Sequence, residues 1–190
     1  EFVQNIDSSN VFLSGACTKG LQSPGIRIGW IIASKRNIEI LANYSSFGMG
    51  GVSHPSQHYA IKLLDSSRVK KARKAVEEHY NWQRQRYGKA FKEMGLGVYT
   101  GNGGFYHWLE LPKGMTSDEL NKRLFKRGAA ILCAFDCDMG RPHSKDPKYK
   151  TPYDRFFRFS FGPLLPETFE ADIKLFREVY ETYKNEAGVD

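Results

Sequence analysis

The sequence lacks the features of a secreted or membrane-spanning protein. Its three cysteines, Cys17, Cys133 and Cys137, are an odd number without disulfide-like spacing, which favours a reducing compartment. No run of about 18 or more apolar residues occurs, so no segment is predicted to span a membrane. Internal repeats and low-complexity tracts are also missing. We therefore expect a globular protein of the cytoplasm.

The sequence also has few patterns that are typical of metal-binding sites. The segment CAFDC, residues 133–137, brings two cysteines close together, and His143 follows in the next loop. One short cysteine pair with a distant histidine is a weak match to the four ligands of a structural zinc site, so we predict ordinary thiols and assign no metal. The other histidines have no convergent partners in the sequence and receive no role: His54, His58, His79 and His107.

What the sequence has in excess is positive charge. Lysine and arginine total 28 against 21 aspartate and glutamate, which gives a net charge of +7 and raises the question of an anionic partner. Much of the excess lies in residues 68–95, where apolar residues at helical spacing predict one long amphipathic helix. No zinc finger, RNP-type motif or basic arm with heptads accompanies the charge. The basic face is therefore predicted to be solvated, and nucleic acid is not the expected partner.

Hydrophobic periodicity predicts alternating strands and helices. Apolar runs at 11–16 and 25–34 are typical of strands, the second one buried on both faces. Helices are predicted at 37–44 and 57–67, before the long helix, and a change of composition at 95–104 marks the predicted domain boundary. Beyond this boundary the predicted order is strand (105–111), helix (117–128, capped by Thr116), strand (129–134), strand (155–161) and terminal helix (166–184).

One short segment combines residues with a specific chemistry. In SGACTKGLQSPGIRIGW, residues 14–30, Lys19 lies among small residues and Arg27 follows eight positions later. A lysine amine attacks carbonyl carbons when its surroundings keep it neutral, and small neighbours leave room for a bulky cofactor. An arginine offers a planar fork to phosphate. An enzyme that holds pyridoxal phosphate needs both, the lysine as a Schiff base with the aldehyde and the arginine on the phosphate.

The segment also resembles the active-site lysine segment of the class I/II aminotransferases, a fold-type-I family of pyridoxal phosphate enzymes. The shared run is a small or hydroxylated residue, Lys, Gly, then Pro-Gly-x-Arg-x-Gly and an aromatic residue. Residues 50–64 are similar to the family's Ser-x-x-Ser-Gln segment, and residues 101–112 to its Gly-Gly-x-Phe-x-Trp segment. Residues 155–162 resemble the strand whose arginine binds the substrate α-carboxylate. The resemblance covers nearly the whole chain.

The resemblance implies the C-terminal part of an α/β fold-type-I enzyme. Residues 1–65 would be a remnant of the cofactor-binding large domain with its mostly parallel sheet, 66–95 a connecting helix and 96–190 a small α/β domain. In the family, the phosphate cup, the aspartate that pairs with the pyridinium and the aromatic residue that stacks on the cofactor precede the lysine by a long stretch. Only eighteen residues precede Lys19 here, and the chain starts at Glu1 without a methionine. We therefore expect a piece of a longer protein that is inactive alone.

The resemblance also implies roles for individual residues. Lys19 would be the catalytic residue that bonds the cofactor, Arg27 would hold the cofactor phosphate, and Thr18 would also bind the cofactor. Arg158 would bind the substrate α-carboxylate, with Arg155, three positions earlier, as the alternative. The implied reaction transfers an amino group between an amino acid and a 2-oxo acid. The implied assembly is a homodimer, or an association through exposed sheet edges.

Two other functions remain open at this point. The same lysine and arginines would serve a pyridoxal phosphate-dependent carbon–sulfur lyase or another eliminating enzyme of the same fold. A non-catalytic regulatory or binding module is the second alternative, and the basic helix at 68–95 favours it slightly.

Overall fold

The computed structural model describes residues 5–140, 149 and 151–189. The chain divides into two compact units, Glu1–Glu77 and Glu78–Asp190, and the division falls inside one long helix. Both units combine helices with strands, which confirms the predicted α/β class, and the strand pairs in the described residues are antiparallel. None of the helices in the described ranges has the length and apolarity that a membrane crossing needs.

The first unit contains a two-stranded antiparallel sheet. Strand β1 (Leu13–Ala16) pairs with β2 (Gly29–Ile32) so that Leu13 lies opposite Ile32 and Ala16 lies opposite Gly29. The mostly parallel sheet expected for this region is not seen, because the paired strands of the described residues are all antiparallel.

Strand β2 is shorter and more exposed than the sequence predicts. The prediction begins it at residue 25, but Pro24–Ile26 forms a turn of 3-10 helix, because Pro-Gly fixes a turn geometry. The prediction also buries both faces, yet Trp30 is 39% exposed and Ile32 is 53% exposed. In the part of the chain that the structure describes, β1 is also the single strand paired with β2, so the other edge of β2 is unpaired there.

Two helices follow β2 and lead to the long one. Helix α1 (Lys35–Met49) extends beyond its predicted range, and helix α2 (His54–Leu63) begins after Ser53, whose hydroxyl accepts a hydrogen bond from the Ser56 N–H at 3.4 Å. Helix α3 (Ser66–Glu93) confirms the long amphipathic helix predicted for residues 68–95.

The second unit is built on a four-stranded antiparallel sheet, in which β3 (Gly97–Tyr99) pairs with β4 (Tyr106–Glu110), β4 with β6 (Phe156–Ser160), and β6 with β5 (Leu132–Cys133). The predicted series of strand, helix, strand, strand and helix is confirmed, and the Thr116 hydroxyl caps its first helix by accepting from the Glu119 N–H. Strand β3 lies in the segment 95–104, where the sequence places a domain boundary. The elements are β3 (Gly97–Tyr99), β4 (Tyr106–Glu110), α4 (Ser117–Phe125), β5 (Leu132–Cys133), β6 (Phe156–Ser160) and α5 (Phe169–Glu186).

Aromatic rings form the core of the second unit. Phe91 is fully buried, and its ring centroid lies 4.8 Å from that of Phe159 and 5.1 Å from that of Phe176. The ring of His107 is buried beside Gly88, where an added Cβ would lie 3.1 Å from its Cε1. Burial lowers the pKa of His107 to about 4, with a smaller contribution from neighbouring positive charges. This imidazole is therefore neutral at physiological pH and belongs to the core.

Candidate functional site

The predicted lysine segment is the loop that joins β1 to β2. The pairing of the two strands continues one step into the loop, because the Cys17 N–H donates to the Ile28 carbonyl oxygen at 3.1 Å. The Ser23 N–H donates to the Cys17 carbonyl at 3.0 Å, and the Gln22 N–H donates to the Lys19 carbonyl at 3.1 Å. These bonds close residues 17–28 into a compact loop, which fixes where its side chains leave the backbone.

A small apolar cluster holds this loop on helix α2. Cys17 is fully buried against Ala60 and Leu63 of the helix. The partly buried side chains of the loop that pack against this cluster are Leu21, Ile26 and Ile28. Sequence reasoning treated Cys17 only as a thiol and missed this anchoring role. The alternation of apolar residues in GIRI was the available signal, since it places Ile26 and Ile28 on one side of the chain.

Lys19 lies in a turn of this loop and is exposed, and Thr18 beside it is half-buried. Gly20, in the same turn, and Gly25, in the 3-10 turn that follows, leave open space: a Cβ atom added at either glycine would meet no atom beyond its chain neighbours within 4 Å. An amine, a hydroxyl and a guanidinium thus lie on one closed loop with room for a bound group. Cationic and hydroxyl donors of this kind suit a phosphate ester.

Arg27 has an unusual backbone conformation. Its φ of 55° and ψ of 43° lie in the left-handed region, which costs a residue with a side chain about 1 kcal/mol or more. Its Nη1 donates to the Pro24 carbonyl oxygen at 3.1 Å, which uses one of the several N–H donors of the guanidinium. Strained conformations of this kind concentrate at functional sites, because the surroundings must hold them.

Arg158 lies in the middle of β6 in the second unit. Its cross-strand partners are Trp108 of β4 and Leu132 of β5, and its Cζ lies 4.3 Å from the centroid of the Tyr106 ring. Its Nε is buried, and no atom of the described residues accepts a hydrogen bond from it. A buried guanidinium N–H without an acceptor is costly, and a carboxylate ligand would remove that cost.

Arg155, the alternative carboxylate ligand, is already engaged. Its Nη2 donates to Glu110 Oε1 in an ion pair, and its Nη1 donates to the Leu111 carbonyl oxygen at 2.7 Å. These bonds tie the start of β6 to the end of β4. The geometry therefore favours Arg158 as the arginine available for a ligand.

The predicted site residues thus fall into two groups. Lys19, Thr18 and Arg27 share one loop of the first unit, and Arg158 lies in the second unit.

The two cysteines of the CAFDC segment differ in their surroundings. Cys133 is buried, and burial raises the pKa of its thiol, whereas Cys137 is exposed. His143, considered with these thiols, lies outside the described residues.

Comparison with known proteins identifies one family and several relatives, among them a 1-aminocyclopropane-1-carboxylate synthase of Arabidopsis thaliana that is 25% identical over 157 residues, 80% of this chain and 32% of that protein. Residues 2–163 match the sequence model of the family described as "Aminotransferase class I and II". An aspartate aminotransferase of Pyrococcus horikoshii is 25% identical over 125 residues, which are 65% of this chain and 32% of that protein.

Solved structures of similar fold include other aminotransferases. A multiple substrate aminotransferase from Thermococcus profundus matches with a TM-score of 0.80 at 20% identity, covering 95% of this chain and 43% of that one. A kynurenine aminotransferase of Pyrococcus horikoshii in complex with PMP matches with a TM-score of 0.79 at 20% identity. The match covers 93% of this chain and 42% of that one. This chain therefore spans about a third of the length of the curated relative and less than half of the solved chains.

Proposed function

Because this chain belongs to the class I and II aminotransferase family, we propose that it is part of a pyridoxal phosphate-dependent aminotransferase. The proposed reaction moves an amino group between an amino acid and a 2-oxo acid. The closed loop that carries Lys19 and Arg27 is the observation on which the proposal rests most. The buried, unsatisfied Nε of Arg158 supports it from the second unit.

The residues of the loop fit the cofactor. The open space beside Gly20 and Gly25 and the set of cationic and hydroxyl donors suit a phosphate-bearing ring. We assign the Arg27 guanidinium and the Thr18 hydroxyl to the phosphate, and the Lys19 amine to the aldehyde end. When bound, pyridoxal phosphate supplies an aldehyde that takes up amino groups and a ring that withdraws electrons from the carbon beside them.

The chemistry left to the protein is binding, orientation and proton transfer. In this proposal Lys19 Nζ accepts the proton from the α-carbon of the amino acid that gives up its amino group. When the 2-oxo acid receives that amino group, Lys19 Nζ donates a proton to the corresponding carbon. Arg158 pairs with the substrate α-carboxylate and fixes the direction of the bond that breaks. The Tyr106 ring, against which the guanidinium lies, limits the orientations that Arg158 can take.

We propose that the activity requires a further part of the protein. The chain spans less than half of the solved aminotransferases that it resembles in fold. In the family, residues for the phosphate cup and the pyridinium nitrogen come from the region before the lysine. Without those contacts this chain is expected to bind the cofactor weakly and to turn over no substrate.

The first unit also supports the proposed association with another chain, either a homodimer or a complex with the preceding region of the family fold. Large apolar side chains of β1, β2 and α1 are more than a third exposed: Leu13, Trp30, Ile31, Ile32, Ile40 and Phe47. Apolar surface of this extent favours association in water. Sedimentation equilibrium at micromolar concentration should therefore detect a dimer or a larger species, and a monomer at all concentrations would contradict this.

If Arg158 binds the substrate carboxylate, substitutions of Arg158 and of Arg155 should have different effects. In the complete protein, Arg158→Gln should raise the KM for the amino acid about 10- to 100-fold, because a charge-assisted contact contributes roughly 1.5–3 kcal/mol. Arg155→Gln should leave KM unchanged and lower the free energy of unfolding instead, because Arg155 pairs with Glu110 inside the second unit. Steady-state kinetics and urea unfolding of both variants measure these effects. A rise in KM for Arg155→Gln alone would assign the carboxylate to the other arginine.

A further inference from the structure

Two histidines of helix α2 approach each other on the surface of the first unit. His54 and His58 are one helical turn apart and both are exposed. Their Nε2 atoms lie 3.2 Å apart, their ring centroids are separated by 4.5 Å, and the ring planes are inclined at 78°. The two nitrogens therefore converge on the same small volume outside the helix.

This separation is compatible with a shared metal ion. Imidazole nitrogens bind late first-row metals at about 2.0–2.1 Å, so two nitrogens 3.2 Å apart subtend an angle of about 100° at a shared ion. That angle lies between the square and the tetrahedral arrangements, which Ni²⁺ and Zn²⁺ respectively can adopt. We propose that His54 and His58 form a binding site for a divalent late transition metal, with water in the remaining positions.

The helix holds the two ligands in place. Ser53 caps the first turn of α2, and the opposite side of the helix is buried through Ala60 and Leu63 on the cluster around Cys17. The histidine side of the helix is therefore fixed toward solvent. Since the helix already fixes the spacing of the two Cα atoms, binding costs mainly the torsional freedom of two exposed side chains.

In the metal-free form the two rings can hydrogen-bond to each other, one Nε2–H donating to the other Nε2. Metal binding needs both Nε2 lone pairs, so the donating ring must move its proton to Nδ1, a change of tautomer that solvent can mediate. No bond other than N–H breaks, and no oxidant or reductant takes part. One change of tautomer therefore makes both Nε2 lone pairs available to the metal.

Two features limit the affinity and the class of metal. Lys62 follows His58 by one turn, and the positive end of the helix dipole lies at His54, so both oppose a cation. No group of three His, Cys, Asp or Glu side chains placed for a metal occurs among residues 5–140, 149 and 151–189, so the proposed site has two protein ligands. Imidazole-only sites select Ni²⁺, Cu²⁺ or Zn²⁺ over Mg²⁺ and Ca²⁺, which prefer oxygen ligands.

Calorimetric titration of the 190-residue chain with Ni²⁺ tests the site. Ni²⁺ is the better probe because Cu²⁺ would oxidise the exposed Cys137 thiol, and a Cys137→Ser background removes that thiol as a ligand. His54→Gln and His58→Gln should each weaken Ni²⁺ binding about tenfold or more, equivalent to about 1.4 kcal/mol. His79→Gln, which removes a histidine of α3, should not change the affinity, and Mg²⁺ should not bind.

Proton NMR gives a second measurement, which identifies the residues that hold the metal. Paramagnetic Ni²⁺ at a low molar ratio should broaden the ring protons of His54 and His58 before those of the other histidines. Both residues are exposed, so the variants should keep the helical circular dichroism of the parent chain. The proposal is overturned if the variant that carries both His54→Gln and His58→Gln binds Ni²⁺ as tightly as the parent. It is also overturned if the broadening occurs first at another histidine. Neither measurement involves pyridoxal phosphate, so the result is independent of the proposed aminotransferase activity.

Discussion

Lys19→Ala is expected to lower the transamination rate of the complete protein about 10⁴-fold, because the substitution removes the group that we propose transfers the proton at the substrate α-carbon. It also removes the amine that holds the cofactor between turnovers. The closed loop and the buried apolar cluster beneath it should be unaffected, since the Lys19 side chain is exposed. Loss of activity should therefore occur without loss of stability of the cofactor-free protein, which single-turnover kinetics and thermal unfolding in the absence of pyridoxal phosphate can measure.

Lys113→Ala is the matched control for this variant, because Lys113 is an exposed lysine that follows β4 in the second unit. Its rate should remain within twofold of the parent. Reduction with borohydride in the presence of pyridoxal phosphate should label Lys19 as the dominant lysine in the complete protein, as peptide mass spectrometry would show. In the isolated chain the labelling should be weak and poorly selective. A different dominant lysine in the complete protein would refute the assignment of Lys19.

The largest expected effect on stability comes from the aromatic core of the second unit. Phe91→Ala should lower the free energy of unfolding by about 3–5 kcal/mol, because Phe91 is fully buried and the cavity left behind would not fill. The rings of Phe159 and Phe176, which contact it from β6 and α5, would lose their shared neighbour. Urea unfolding followed by near-UV circular dichroism would report this loss.

Phe125→Ala provides the comparison within the same unit. Phe125 is the last residue of α4 and is 73% exposed, so its removal should change the stability by no more than about 0.5 kcal/mol. Equal losses for the two variants would mean that the second unit is not organised around the buried rings.

Much of the fold could be predicted because the signals are local. Apolar residues at helical spacing predict α3, and a threonine three residues before a glutamate predicts the start of α4. The errors occur where local signals are short or conflict. Strand β3 has only three residues within a glycine-rich segment, and β2 begins late because Pro24 and Gly25 form a turn inside an otherwise apolar run.

The candidate site could be found in part. The spacing of Lys19 and Arg27 is a property of the sequence, and because both lie on one short connection, no distant contact is needed to bring them into the same loop. The spacing of residues along the chain could not distinguish Arg155 from Arg158 as the candidate ligand of the carboxylate. Both lie on the same strand segment, and the difference is the carboxylate of Glu110, which a neighbouring strand places beside Arg155.

By itself, the sequence determined the class of fold and the order of the principal elements, and it led to the proposal of the lysine segment as the site, because periodicity and motif spacing act over a few residues at a time. Only the tertiary structure decided which groups are available for chemistry. It places Arg27 in a left-handed conformation and leaves the Arg158 Nε buried without an acceptor among the described residues. It also brings the Nε2 atoms of His54 and His58 to 3.2 Å. Burial, strain and the convergence of side-chain atoms depend on packing between elements and on side-chain torsions, and residue spacing along the chain does not specify either of them.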